Sequence, residues 1–363
     1  MKILICRNTD SGIVMRLTNL IRTLVSEGHE VVVASPKKTA FQTLIDMGCR
    51  FIEVSIERHG TNPFTDMSVY KRYRSILSEE KPDISLLYTT KPNIYCGMAC
   101  RKEGVPVIMN ITGMGSALGN KGLIQSLMIR LYKKACNGDN IRTMFFQNEE
   151  SLEYFKNNNI GDPKLFRRLP GSGVDLDRYP LQPYPESDTV DFLFVSRVLK
   201  QKGIDQYIEA ARIVRKDHPE AVFHVLGACS DDYKDILEEE TRKGTIIYHG
   251  RVNNVGDYQK MSQCTIQPSY YPEGMSNVIL EAASSGRAVI TTDHSGCREG
   301  IDDGKSGFLF PVKDSQKLAE AVLRFLDMSV EERREMGLCG RRKMEKEFDV
   351  RFVINAYLEA IGE

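Results

Sequence analysis

Two consecutive α/β domains, each built on a doubly wound parallel sheet, are what this 363-residue sequence predicts. Three observations carry that expectation. Short apolar strands alternate with amphipathic helices from the first residues onward, which is the pattern of parallel β-α-β units. The pattern runs twice, interrupted at residues 169–188 by LPGSGVDLDRYPLQPYPESD, a proline-rich stretch with little periodicity. The length and the 41% hydrophobic content exceed the needs of one ordinary core and suit two. Residues 1–172 are therefore expected to form the first domain, 173–188 a linker and 189–347 the second domain. An amphipathic helix over 348–363 is expected to cross back to the first.

Composition narrows the function. The 49 basic residues are matched by 49 acidic ones, so no overall field recruits nucleic acid, and none is expected as a partner. Nine cysteines are scattered without a CxxC pair or a histidine at zinc-ligand spacing. That usage predicts reduced, packed thiols in a cytoplasmic protein and no metal site. The opening MKILICR reads as a buried strand rather than a secretory segment, and no apolar run reaches the roughly 18 residues of a membrane span. A soluble or peripheral protein follows.

In the first half, KILIC, HEVVVAS, CRFIEVSI, DISLLYT and VPVIMNIT read as strands separated by helices. Their ends are small or polar: Asp10-Ser11-Gly12, Thr89 to Asn93, and Asn110 to Gly115. Ligands of open α/β sheets bind outside such carboxyl ends. Gly113, Gly115 and Gly119 are spaced G-x-G-x-x-x-G, one residue too many for a dinucleotide fingerprint, and no acidic strand end follows at the required distance. The segment 119–142 reads as an apolar, locally basic helix with Lys121, Arg130, Lys133 and Lys134. It can pack as a core-facing helix with a solvated rim, or rest on an anionic membrane. Asp175-x-Asp177 could suggest a metal pair, but its place in an extended linker argues against one.

The second half repeats the architecture with VDFLFVSRV, AVFHVLG, TIIYHG, a short helix near 258–264, AVITT and GKSGFLFP, and is helical from Ser315 to the end. Arg197 and Lys202 flank the turn after its first strand, well placed to clamp a diphosphate, with a solvated surface pair as the alternative. The chain is organised around Gln267 to Arg298, a strand ending at a proline, a tight loop, a helix and a second strand. Glu273 lies in the loop and Glu281 about two turns along the helix. Gly274 lets backbone approach a ligand, and Ser276 and Asn277 suit an N-cap whose amides face anions and ligand oxygens. A ligand with hydroxyls for the carboxylates and negative groups for the amides fits, and a nucleotide sugar has both.

SRVLKQKG, PSYYPEGMSNVILEAASSGRAVITT and GKSGFLFP together resemble family 4 glycosyltransferases, retaining enzymes of the GT-B fold that use nucleotide-activated sugars. The resemblance implies two Rossmann-like domains facing a central cleft. The chain departs from the family at Arg287-Ala288, where a proline is usual in the second position. GTNPFTD, YTTKPNIYCG and NITGMGSALG make the first domain look like the branch that builds bacterial surface or lipid-linked oligosaccharides. The family's Gly-Gly loop is replaced by Asp10-Ser11-Gly12, and its first-domain histidine has only His59 as a stand-in.

By that resemblance, Arg197 and Lys202 neutralise the leaving diphosphate and Glu281 accepts the ribose hydroxyls. Glu273, with the backbone of Gly274, Met275, Ser276 and Asn277, holds the donor sugar, and Arg251 and Val252 meet the base, with Gly12 also at the donor. Lys91, Asn110, Thr112 and Gly113 are expected at the acceptor. Lys121, Arg130, Lys133 and Lys134 are expected at the cytoplasmic face of the membrane. The implied reaction moves a hexose or N-acetylhexosamine from a UDP-sugar to an undecaprenyl-diphosphate-linked saccharide, with no metal or other cofactor. A UDP-sugar 2-epimerase on the same fold and a non-catalytic nucleotide-sugar-binding protein remain alternatives.

Overall fold

The computed structural model describes residues 1–56, 63–113, 122–272 and 274–362. His59, Gly115, Gly119, Lys121 and Glu273 lie outside the described residues. The chain divides into two compact units, Met1–Ser172 with Pro272–Gly274 and Arg351–Glu363, and Gly173–Tyr271 with Met275–Val350.

The first unit holds β1 (Lys2–Cys6), β2 (Glu30–Ser35), β3 (Arg50–Glu53), β4 (Ile84–Tyr88), β5 (Val107–Ile111), β6 (Ile141–Phe146) and β7 (Phe166–Arg168). They form one seven-stranded sheet in the order β3-β2-β1-β4-β5-β6-β7, with every pairing parallel. The central strands are apolar at nearly every position because helices cover both faces. One face packs against helices Pro63–Glu80 and Leu123–Cys136, the other against Asp10–Ser26 and the terminal helix Val350–Ile361. Cys6, Cys96 and Cys100 line up in the first of these cores, with Sγ–Sγ distances of 3.7 and 3.9 Å.

Tyr357 anchors the terminal helix. Its ring meets Phe145 edge-on at 5.0 Å, and its hydroxyl donates to Asn110 Oδ1. Asn110 Nδ2 donates to the Leu87 carbonyl at 3.1 Å, and Asn93 Nδ2 to the Asn110 carbonyl at 2.9 Å. A polar latch thus sits at the carboxyl ends of β4 and β5, where an unmet amide would be costly. Beside it Thr89 adopts a φ of 69°, a strained conformation for a β-branched residue.

The second unit holds β8 (Val190–Val195), β9 (Ala221–Leu226), β10 (Ile247–Gly250), β11 (Cys264–Gln267), β12 (Ala288–Thr292) and β13 (Gly307–Phe310), again all parallel, in the order β10-β9-β8-β11-β12-β13. Residues from Ser315 onward form helices Ser315–Leu326 and Val330–Lys343, a wide turn at Met344–Phe348 and a break at Asp349 before the terminal helix. Ser329 and Glu332 close a capping box at the second of these.

Arg287 is fully buried at the start of β12. Its guanidinium donates from Nε to the Gln259 carbonyl at 2.8 Å, and from Nη2 to those of Pro183 at 2.7 Å and Lys260 at 3.2 Å. Gln259 and Lys260 lie in the last turn of helix Val255–Met261, whose negative end suits a cation. Burial pushes the arginine down to about 10, still charged at neutral pH. At this departure from the family's usual proline, Arg287 ties the carbonyls of Gln182 and Pro183 in the proline-rich segment to the start of β12. Arg287→Met should orphan these carbonyls and lower the stability of the second unit by about 3 kcal/mol or more, measured by urea unfolding of the full chain.

Candidate active site

In each sheet the strand order reverses once, between β1 and β4 in the first and between β8 and β11 in the second. Crevices outside the carboxyl ends at such reversals are where ligands of open α/β sheets bind. In the second unit the turns after β8 and β11 carry most of the expected donor residues.

Arg197 follows β8 and is exposed; Lys202 ends the single turn Lys200–Lys202 and is only 8% exposed. The turn is jammed against the end of β11. Gly203 has φ 78°, and a Cβ there would come within 2.7 Å of the Pro268 carbonyl carbon. The Tyr270 amide donates to the Gln201 carbonyl at 3.0 Å. Burial lowers Lys202 from an ordinary 10.5 to about 8, with nearby Arg197 adding repulsion. At about 8 the buried lysine stays mostly charged at neutral pH and begins to lose that charge only in mildly alkaline solution.

The segment after β11 departs in detail from its sequence reading. Met275 is packed with Val174, Leu280, Ala283, Met344 and Phe348, so its side chain serves the core. Ser276 occupies the N-cap of helix Asn277–Ser284 but makes no side-chain capping bond, and its amide donates to the Gly296 carbonyl at 2.7 Å. The helix begins at Asn277, so Glu281 stands one turn into it rather than two. Gly274, grouped with the first unit, does need its missing Cβ, but the neighbours are protein: a Cβ would lie 2.7 Å from the Thr112 carbonyl oxygen, and Asn148 Nδ2 donates to the Gly274 carbonyl at 2.8 Å. Arg251 and Val252 follow β10, the edge strand two places from β8. In the linker, Asp175 caps its own turn by accepting from the amides of Asp177 and Arg178, each at 3.0 Å.

At the first unit's carboxyl edge, several expected ligand contacts are engaged within the fold. Asn110 is 3% exposed and bound into the Tyr357 latch, so its side chain is not offered to an acceptor. Lys91 pairs with Asp66 at 2.6 Å, and Tyr95 donates to the same carboxylate at 2.7 Å. Thr112 and Gly113 follow β5 and are half-buried. The Gly12 amide donates to Thr9 Oγ1 at 3.2 Å in the cap of helix Asp10–Ser26. Asp10 replaces the family's glycine loop with a fully buried carboxylate that accepts from the amides of Ser11, Lys38 and Ala40. Arg130 and Lys134 are exposed on their helix and Lys133 is half-buried. Among the described residues no group of three or more His, Cys, Asp or Glu side chains is arranged to hold a metal ion, and no helix is long and apolar enough to cross a membrane.

Two site residues escaped the sequence reading, Tyr271 and Gly203. Lys202 Nζ lies 4.9 Å from the centroid of the Tyr271 ring. The doubled tyrosine in PSYYP was the available signal for the first, and the glycine directly after a lysine in KQKG for the second.

The sequence matches "Glycosyl transferases group 1" over residues 182–343 and "Glycosyl transferase 4-like" over residues 2–148. It is 22% identical over 360 residues to N,N'-diacetylbacillosaminyl-diphospho-undecaprenol alpha-1,3-N-acetylgalactosaminyltransferase of Campylobacter jejuni, covering 94% of this chain and 93% of that one. It is 25% identical over 286 residues to UDP-Gal:alpha-D-GlcNAc-diphosphoundecaprenol alpha-1,3-galactosyltransferase of Escherichia coli, covering 73% and 70%. Anabaena HepE in complex with UDP-glucose superposes with a TM-score of 0.81 at 17% identity, over 99% of both chains. The chain belongs to the family 4 glycosyltransferases and has their GT-B fold.

If Lys202 must be charged to meet a diphosphate, binding above about pH 8 has to take up a proton. The affinity for UDP should then fall as pH rises from 8 to 9.5, by up to about tenfold per unit. Calorimetry in buffers of different ionisation enthalpy should find uptake approaching one proton per UDP, and Lys202→Met should abolish that uptake.

Proposed function

We propose that the chain is a retaining, metal-independent transferase that moves a hexose or N-acetylhexosamine from a UDP-sugar to an undecaprenyl-diphosphate-linked saccharide in bacterial glycan assembly. The observation that carries the donor half is the placement of Arg197 and buried Lys202 beside the end of β11, at the strand-order reversal of the second sheet. The acceptor class is supported by similarity to the Campylobacter jejuni and Escherichia coli enzymes, whose names specify diphospho-undecaprenol acceptors.

In this reading the bond between the anomeric carbon and the diphosphate oxygen breaks as positive charge grows on the sugar and negative charge on the leaving group. Fixed cations at the diphosphate lower that barrier without a metal. The acceptor oxygen attacks the same face, and its proton passes to the departing phosphate oxygen, so no side-chain base is required. Glu281 takes the ribose hydroxyls, the backbone from Gly274 to Asn277 meets the sugar except at Ser276, whose amide is held by the Gly296 carbonyl, and the backbone at Arg251 and Val252 meets uracil.

A lipid-linked acceptor requires the enzyme to work at a membrane, on its cytoplasmic face. Helix Leu123–Cys136 has the surface for it. Leu123, Leu127, Arg130 and Lys134 fall in one line along its outer side at helical spacing, and the helix contains no carboxylate. Leu123 is 91% exposed and Leu127 55%, with Ile124 beside them at 60%. Aliphatic side chains at one end and cations at the other match the acyl boundary and the anionic headgroups of a bilayer.

The deciding experiment incubates the enzyme with UDP-, GDP-, ADP- and CMP-sugars, with and without a lipid-diphosphate-linked sugar, and reads products by mass spectrometry. UDP release only with acceptor, together with a heavier lipid, is expected, and Arg197→Ala or Lys202→Ala should cut kcat by about a hundredfold with the fold intact. Isomerisation of a UDP-sugar without acceptor would replace the transferase reading by an epimerase. For the membrane contact, cosedimentation with vesicles rich in anionic lipid should weaken with salt and be lost in Leu123→Ser/Leu127→Ser and in Arg130→Gln/Lys134→Gln. Unchanged binding in both pairs would remove that role from the helix.

A further inference from the structure

We infer that Tyr271 is a positioning residue for the reaction, its ring face holding the Lys202 ammonium where the donor diphosphate is received. The inference rests on the reading of Lys202 as the diphosphate cation.

A lysine ammonium is a compact point charge on a flexible four-carbon stem, so its place must be fixed by what surrounds it. Lys202 is directed inward, 8% exposed, with Nζ 4.9 Å from the Tyr271 ring centroid, inside the range of about 6 Å over which a ring face attracts a cation. That attraction strengthens where water is excluded. A ring face has a further property that a carboxylate lacks: it stabilises the charge without lone pairs that compete with phosphate oxygens for the ammonium N–H groups. Burial draws Lys202 down to about 8 and Arg197 acts in the same direction, while the nearby Cys297 acts against them, so support from the ring face extends the pH range over which the lysine stays charged.

The backbone that carries the ring is held in place. The Tyr271 amide donates to Ser269 Oγ at 3.3 Å, the Ser269 carbonyl accepts from Thr292 Oγ1, and the Tyr270 amide donates to the Gln201 carbonyl at 3.0 Å. Ser269 is fully buried. The loop after β11 is thereby tied to the turn that carries Lys202 on one side and to the end of β12 on the other. The neighbouring ring repeats the contact with a different lysine: Lys313, from the loop after β13, places Nζ 4.9 Å from the Tyr270 centroid. Lys313 is exposed, so that second pair lies in water where the same geometry contributes little. Burial separates the two contacts and assigns the role to Tyr271.

The test compares Tyr271→Phe, which keeps the ring, with Tyr271→Leu, which keeps bulk and removes the ring face, in the full-length enzyme. Calorimetric affinity for UDP and the pH profile of kcat/KM are measured for each, with thermal melting to confirm folding. Tyr271→Phe should bind UDP within about twofold of the wild type. Tyr271→Leu should bind about tenfold more weakly, with the alkaline limb of its profile moved down by about one pH unit, because the charged lysine has lost the ring face beneath it. A purely structural role would lower the melting temperature without moving that limb. An unmoved limb and unchanged UDP affinity in a folded Tyr271→Leu enzyme would overturn the inference. Equal damage from Phe and Leu would also overturn it, by assigning the role to the hydroxyl. Lys202→Met separates the two levels: if it binds UDP like the wild type, the diphosphate reading of Lys202 fails, and the inference with it.

Discussion

The candidate site depends on one steric concession, the absence of a side chain at Gly203. Strand order reverses between β8 and β11, so the chain leaving β8 and the chain leaving β11 diverge to opposite sides of the sheet and leave a crevice between them. For the two exits to act on one ligand they must still lie close together at their base. A left-handed glycine directly after Lys202 lets the turn press against the Pro268 carbonyl, where any Cβ would collide. The position of the buried lysine and its contact with the Tyr271 ring both go with that approach.

The two carboxyl edges have been put to different uses. In the second unit the charged side chains described in the turn after β8 include two cations, Lys202 buried and Arg197 exposed. In the first unit the corresponding edge is tied up internally by the Asn93, Asn110 and Tyr357 network and by the Lys91–Asp66 pair. The second unit presents Arg197 at its surface, whereas the network in the first rigidifies the ends of β4 and β5 around the strained Thr89.

The strands were legible because central parallel strands are apolar throughout, and KILIC, ISLLY and AVITT can hardly be anything else. β7 was not, since Phe-Arg-Arg has no apolar run and pairs only as the sheet edge. Residue types suited to a ligand were found by pattern, but their orientation was not. Nothing in the composition of NIT says that Asn110 will face Tyr357, 247 residues away in sequence. Ser276 had the chemistry of a helix cap and uses its amide elsewhere, and Arg287 stood out only as a departure from a familiar pattern. Each of these outcomes is decided by partners distant in the chain, which local periodicity does not encode.

The membership of residues 351–363 in the first unit has a consequence for how the protein is made. Synthesis proceeds from the amino end, and domains generally fold as they emerge. Here the second unit has all its strands available before the helix that covers Tyr88, Phe145 and Leu169 has been translated. The first unit to be synthesised is therefore the last to be finished, and it waits on the ribosome with an apolar face open. During that interval the side chains that the terminal helix will cover remain exposed to water.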